Sequence, residues 1–218
     1  MISLHTDTRA EIRSRIMSKE TQITAKGQSK RELVFDAAAD VFAQYGFRRT
    51  SMNDIANAAG ISRPALYLIF KNKEELFRTL AAYLQNQAID QAISELSREG
   101  TISERIVNAI LAYEAIYYEP IAQSPHGAEI MDINLSIAAD LMQTGLNRLV
   151  RELAGAIDKA RVSGEVRFAD KAPKPKAFVE LLMSSISGLK KNAKTTQKFR
   201  RHIKEVTTIF LLSISNHP

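Results

Sequence analysis

Three short runs of this sequence carry side chains suited to holding an anion. Ser62, Arg63, Pro64, Ala65 and Tyr67 follow a glycine turn, Thr50 and Ser51 stand shortly before it, and Lys71 and Lys73 come just after. An arginine can donate a bidentate pair to guanine or bind phosphate, a tyrosine hydroxyl suits a phosphate oxygen, and lysines supply positive charge along a nucleic-acid backbone. Thr50 and Ser51 fall at a helix start, where free N–H groups and the helix dipole favour negative charge. Together these residues could recognise a polyanion. Thr50, Ser51, Ser62, Arg63, Pro64, Ala65, Tyr67, Lys71 and Lys73 are therefore the expected DNA contacts. Arg48 and Arg49 precede the first short helix and read as solvated charges, with steering of DNA as the alternative.

Other chemistries find less support. The chain has no cysteine, which removes disulfides, thiolate metal sites and a cysteine nucleophile. Its histidines, His5, His126, His202 and His217, lack the spacing of a metal pair and have no carboxylate-rich cluster beside them. The acidic residues between 81 and 170 fall in no recognisable catalytic context and read as a solvated helix face. Ser184-Ser185-Ile186-Ser187-Gly188 lacks the strand-to-helix setting that a nucleophile elbow needs. The expectation is a non-enzyme with no cofactor and no metal.

The elements that must position the anion-binding residues are helical. Leu33, Val34, Ala37, Ala38, Val41, Phe42 and Tyr45 recur at helical spacing, and Gly46 stops that helix. Ser51-Met-Asn-Asp54 is a capping signature for a short helix through Ala58. Ala59-Gly60-Ile61 is a tight turn, and Gly60 permits its left-handed backbone. Ser62 caps the next short helix, with Pro64 tolerated in its first turn, and that helix is expected to end near Phe70. Ile55, Ala56 and Ala59 form the inner face of the first short helix. Ile61 and Leu66 close a small core with Phe42 and Phe70. Two short helices about a glycine turn make a helix-turn-helix, whose second helix enters a major groove.

The run from Leu33 to Phe77 resembles the DNA-binding domain of the TetR (tetracycline-repressor-like) family. The residues that carry the resemblance are Ala37-Ala38, Phe42, Tyr45-Gly46-Phe47, Thr50-Ser51, Asp54-Ile55-Ala56, Ala59-Gly60-Ile61-Ser62, Ala65-Leu66-Tyr67, Phe70 and Lys73-Glu74-Glu75-Leu76-Phe77. Leu68-Ile69 departs from the pattern, since members often place aromatic or histidine residues there. The resemblance implies a dimeric repressor on a palindromic DNA operator, with a C-terminal pocket whose occupancy spreads two reading heads apart.

The rest of the chain is also helical in period. Asn72-Lys-Glu-Glu75 caps a long helix to about Arg98, and Thr101-Ile-Ser-Glu104 caps one that ends before Pro120. Helical pattern resumes near His126 and runs, with a break, from Leu135 to Val162. Two last helices cover about Ala177–Lys191 and Gln197–Ser215. The fold class is all-α, organised as a 1–28 tail, a helix-turn-helix domain over 29–76 and a helical effector-binding and dimerisation domain over 77–218. Met17 is an alternative start, since nothing before it has a clear core face. Tyr113, Tyr117, Met131, Met142, Phe178 and Met183 are candidate pocket residues, and their apolar bias points to a small hydrophobic effector. The stripes Phe178, Leu181, Leu182, Ile186, Leu189 and Ile203, Val206, Ile209, Phe210, Ile214 suit a homodimer through the last two helices, although packing within one subunit would use the same residues.

Net charge is +6, but it is unevenly spread: residues 1–80 carry 13 Lys and Arg against 9 Asp and Glu, residues 81–170 carry 7 against 13, and residues 171–218 carry 10 against 2. Because both ends are basic, charge alone does not locate a DNA-binding face. No run is apolar enough to span a bilayer and no secretory signal opens the chain, so a cytoplasmic location without membrane contact is expected. Two alternatives are a DNA-binding module with no small-molecule effector and an all-helical enzyme.

Overall fold

The computed structural model describes residues 30–170, 172–190 and 195–215. The tail over 1–28 and the alternative start at Met17 lie outside them. Helix α1 covers residues 30–45. Then follow α2 (Met52–Ala58), α3 (Arg63–Tyr67), α4 (Lys73–Leu96), α5 (Ile102–Tyr117), α6 (Glu119–Gln123), α7 (Gly127–Ile137), α8 (Ala139–Val162), α9 (Pro175–Lys190) and α10 (Thr196–Leu212). The described residues form no named strand; an isolated antiparallel bridge joins Val166 to Ser215.

Helices α1 to α3 and the first turns of α4 make the head. Gly46 ends α1 with φ +81°, and Gly60 turns the chain between α2 and α3 with φ +65°. Both sit in the left-handed region that a Cβ disfavours. Ser51 and Asp54 form the expected capping box on α2. Ser62 caps α3 by accepting the Ala65 N–H at 3.3 Å, and Asn72 caps α4 by accepting the Glu75 N–H at 2.7 Å. Helix α3 is shorter than its sequence suggests. It ends at Tyr67, with Leu68 as its C-cap, and the Leu66 carbonyl accepts the N–H groups of both Ile69 and Phe70. Phe70 is thereby buried from a turn and not from a helix.

The head core is Val34, Phe35, Phe42, Ile55, Leu66, Phe70, Leu76 and their neighbours, and it extends to Leu80 and to Ile130 of α7. The expected boundary at residues 76 and 77 thus falls inside α4, which is shared by both halves. A second core holds the helical domain together, drawn from α4, α5, α8, α9 and α10. At roughly 1.5 Å of rise per residue, the 24 residues of α4 run continuously from the head into this bundle.

Two details of the bundle position the site. Helices α7 and α8 are separated by Ala138 alone, at φ −133° and ψ 13°, where the periodicity had suggested a break. A short α6, not foreseen from the sequence, fills the corner after α5, with Pro120 in its first turn. Gly145 of α8 lies against the Gln85 side chain of α4, and a Cβ there would stand 2.1 Å from the amide carbon. Small size, not backbone freedom, is what this glycine supplies.

Candidate nucleic-acid interface and internal cavity

The predicted contacts divide into those turned outward and those used to build the head. Arg63, Pro64, Tyr67 and Lys71 are exposed, while Ala65 is half-buried. Arg63 lies over the Tyr67 ring, with its guanidinium carbon 5.5 Å from the centroid, so residues one helical turn apart share one face. Leu66 on the opposite face is fully buried. Helix α3 is thus anchored by one side and free on the other, as a groove-reading helix must be.

Four predicted contacts are occupied within the head. Thr50 is buried and its hydroxyl donates to the Gly46 carbonyl at 2.7 Å, which corrects the expectation of a free hydroxyl for phosphate. Ser51 donates to Asp54 Oδ2 at 2.7 Å, and this bond holds the Asp54 carboxyl below its ordinary range. The same carboxylate accepts the Ser51 backbone N–H at 2.8 Å, so the start of α2 is already closed by its own anion. Ser62 serves as the α3 cap. Lys73 Nζ donates to the carbonyls of Phe47 and Thr50, both at 2.7 Å, and sits 4.4 Å from the Phe47 ring centroid. Its ammonium has three donors, so two are committed to the loop between α1 and α2.

Leu68, which departs from the family pattern, faces outward. It is 89 % exposed, beside Tyr67 and one turn beyond Pro64. The signal that could have found it is its placement: an apolar side chain next to a predicted contact, on a short helix whose core position is already filled by Leu66.

In the helical domain, five of the six candidate pocket residues come together. Tyr113, Tyr117, Met131, Met142 and Met183 line one cavity of about 450 Å³, within the range of small-molecule sites. Phe178 does not line it. Its ring packs edge-on against Phe168 and Phe210, each at 5.5 Å, because it faces the core between α8, α9 and α10. The cavity also contains polar residues the sequence did not reveal, namely Gln85, Glu114 and Lys190. Glu114 is buried and lies 2.9 Å from Lys190 Nζ. Burial raises its carboxyl pKa, opposed by the Lys190 ammonium. Burial also pushes the Tyr117 phenol up to about 12, and its hydroxyl is buried without a hydrogen-bond partner.

The cavity is linked to the head through α6 and α7. Met131 and Leu135 of α7 face the cavity, whereas Ile130, Ile133 and Ile137 pack on the head core. Ser124, between α6 and α7, donates to the Ala43 carbonyl at 2.6 Å. The Arg48 N–H donates to Glu129 of α7 at 2.7 Å. Tyr117 lines both this cavity and a smaller one of about 80 Å³ between Phe42, Phe77 and Ile130.

The dimer stripes are mostly spent inside the subunit. Phe178, Leu182, Ile186, Ile203 and Ile214 are buried in the chain's own core, while Leu189, Val206 and Phe210 pack partly against it. Of the stripes, Leu181 and Ile209 remain outside, at 55 % and 66 % exposure, and Leu212, which belongs to neither stripe, is exposed beside them. Among the described residues no helix is long and apolar enough to cross a membrane, and no group of His, Asp and Glu is placed to hold a metal ion.

Residues 29–80 match the model of bacterial regulatory proteins of the tetR family. The head belongs to the TetR family. A protein of Escherichia coli K12 named "Probable acrEF/envCD operon repressor" is 39 % identical over 79 residues, covering 36 % of this chain and 34 % of that one. The chain thus matches about a third of the length of that relative. Beyond the TetR-family head, the fold is shared as well. A transcriptional regulator from Cytophaga hutchinsonii superposes with a TM-score of 0.69 at 22 % identity, covering 85 % of this chain and 98 % of the other. SmeT, repressor of the Stenotrophomonas maltophilia multidrug efflux pump SmeDEF, gives 0.61 at 20 % identity over 85 % and 90 %.

Proposed function

We propose that the protein is a transcriptional repressor that binds a palindromic double-stranded DNA operator as a homodimer and is released by a small hydrophobic effector. The observation that carries this reading is the two-sidedness of α3: Leu66 is buried beneath it while Arg63 and Tyr67 stand exposed above. Arg63 reads a base or holds a phosphate, Tyr67 and Lys71 hold phosphates, and Pro64 and Ala65 allow close approach to the groove. Thr50, Ser62 and most of Lys73 act by fixing this surface. The third Lys73 N–H remains for a phosphate. The match to a relative named as an operon repressor supports the direction of control.

One small head covers few base pairs, so specific affinity calls for two. Leu181, Ile209 and Leu212 on the outer faces of α9 and α10 suit the pairing surface. For the effector, the cavity behind α7 offers the room, and SmeT, which shares the fold, forms a complex with triclosan. A molecule seated against Met131 and Leu135 displaces α7, and with it the Ile130, Glu129 and Ser124 contacts to the head. Release of DNA then requires that the ligand bind the displaced arrangement more tightly. The protein's proposed target is chromosomal DNA, so the proposed location is the cytoplasm.

Selection of genomic fragments with the purified protein, followed by footprinting, tests this reading. The expected footprint is two protected half-sites about one helical turn, roughly 34–36 Å, or a multiple of it apart. No DNA retained at low salt, or a single unpaired half-site, contradicts it.

A further inference from the structure

We propose that the cavity takes a lipophilic cation, an amine or quaternary ammonium on an apolar body, and that Lys190 is the internal stand-in for that cation. This rests on the reading of the cavity as the effector site and names its ligand class. Glu114 sits in the last turn of α5, 1 % exposed. Facing it is one ammonium, Lys190 Nζ, 2.9 Å from Oε2 and 4.6 Å from the Tyr118 ring centroid. A buried carboxylate and an aromatic face around a single positive charge are the two elements of a cation site. Tyr113 and Tyr117 stand 5.6 Å apart in the same wall, and the Tyr117 hydroxyl, in a side chain more than nine-tenths buried, has no partner. Met131, Met142, Leu135 and Leu146 supply the apolar remainder.

The two partners of the ion pair are not equivalent, and this decides the sign of the ligand. Glu114 is fixed in the helix core. Lys190 ends α9, keeps 21 % of its side chain exposed and lies 2.9 Å from Oε2. Its four-carbon stem can swing to water. An entering cation therefore replaces Lys190 and leaves Glu114 paired. An entering anion pairs with Lys190 and strands a buried carboxylate, which is strongly unfavourable. A neutral ligand gains apolar contact alone. Glu119, the other buried acid nearby, is already held by Arg200 at 2.6 and 2.5 Å, so it does not compete for the ligand.

Equilibrium dialysis of the full chain with decyltrimethylammonium, 1-decanol and decanoate, each below its micelle concentration, tests the proposal. The cation should bind about tenfold or more tighter than either of the others. Glu114→Gln should reduce that preference to about threefold or less, by weakening cation binding more than 1-decanol binding. Lys190→Met, at a partly buried helix end, leaves Glu114 without its partner, so this variant should melt below the unmodified protein and regain stability with decyltrimethylammonium but not with 1-decanol, a readout that survives if Glu114→Gln fails to fold. Equal or tighter binding of 1-decanol or decanoate by the unmodified protein overturns the cation assignment and leaves the cavity as an effector site. If none of the three binds, the cavity reading falls and the assignment with it.

Discussion

The head and the helical domain handle their functional groups in opposite ways. In the head, Arg63 and Tyr67 stand outside a single turn of helix, and the residues that hold them, Ser62 and Leu66, are their neighbours in sequence. In the helical domain, the charged pair is buried and built from positions far apart, Glu114 of α5 and Lys190 of α9. A surface that must meet a partner can be assembled locally, because its backbone needs only a cap, a turn and one buried anchor. A cavity needs walls from several helices, and its polar groups persist there only when paired. The first arrangement tolerates outward change; the second couples any change to the whole bundle.

Two leucines on either side of Tyr67 give the strongest test of this contrast. Leu66→Ala should cost about 2–5 kcal/mol of stability, as a fully buried leucine does, and abolish DNA binding with it. Leu68→Ala should shift the unfolding free energy by less than about 0.5 kcal/mol. Urea denaturation of both variants decides the matter, and similar losses at the two positions would erase the distinction between anchor and reading face.

The two lysines sharpen the same comparison at smaller scale. Lys73→Met removes two hydrogen bonds to loop carbonyls and should destabilise the head by about 1–3 kcal/mol. Lys71→Ala should leave the melting temperature unchanged and reduce the slope of log affinity against log salt by about 1, as loss of one phosphate contact does. Gly60→Ala meets no atom, yet must hold a side chain at φ +65°, so it should cost about 1–2 kcal/mol from backbone strain alone.

The smallest expected effect is one of pH. Asp54 is held below its ordinary range by the hydroxyl and then the N–H of Ser51, and Glu104 by the N–H and then the hydroxyl of Thr101. A carboxyl whose folded pKa is depressed supports the fold fully above its unfolded pKa and loses that support as pH falls through the folded value. Amide protection factors at the starts of α2 and α5 should fall below about pH 4, and should fall less in Ser51→Ala and Thr101→Ala, which keep only the backbone N–H bond to the carboxylate.

This contrast also explains what was legible beforehand. The caps Ser51, Ser62, Asn72 and Thr101, the turn at Gly60 and the α3 anchor Leu66 could be read because capping, left-handed turns and helical period are local. Helix α6 escaped notice because five residues carry no period, and α3 was drawn too long because Phe70 is buried by a turn. Thr50 and Lys73 were given to the ligand because their partners are carbonyls of the α1–α2 loop, which no side-chain pattern displays. Tyr113, Tyr117, Met131, Met142 and Met183 were found by residue type alone. Phe178 shares that type and faces the other way, and the Glu114–Lys190 pair depends on a packing that spacing cannot show.

The most direct measurement is the binding of Arg63→Ala to a selected genomic fragment, beside an unrelated duplex of equal length. Specific binding should weaken by on the order of 1–3 kcal/mol, with relaxed preference at one position of each half-site and an unchanged unfolding midpoint. Unaltered affinity for both duplexes would contradict the assignment of α3 as the helix that reads DNA.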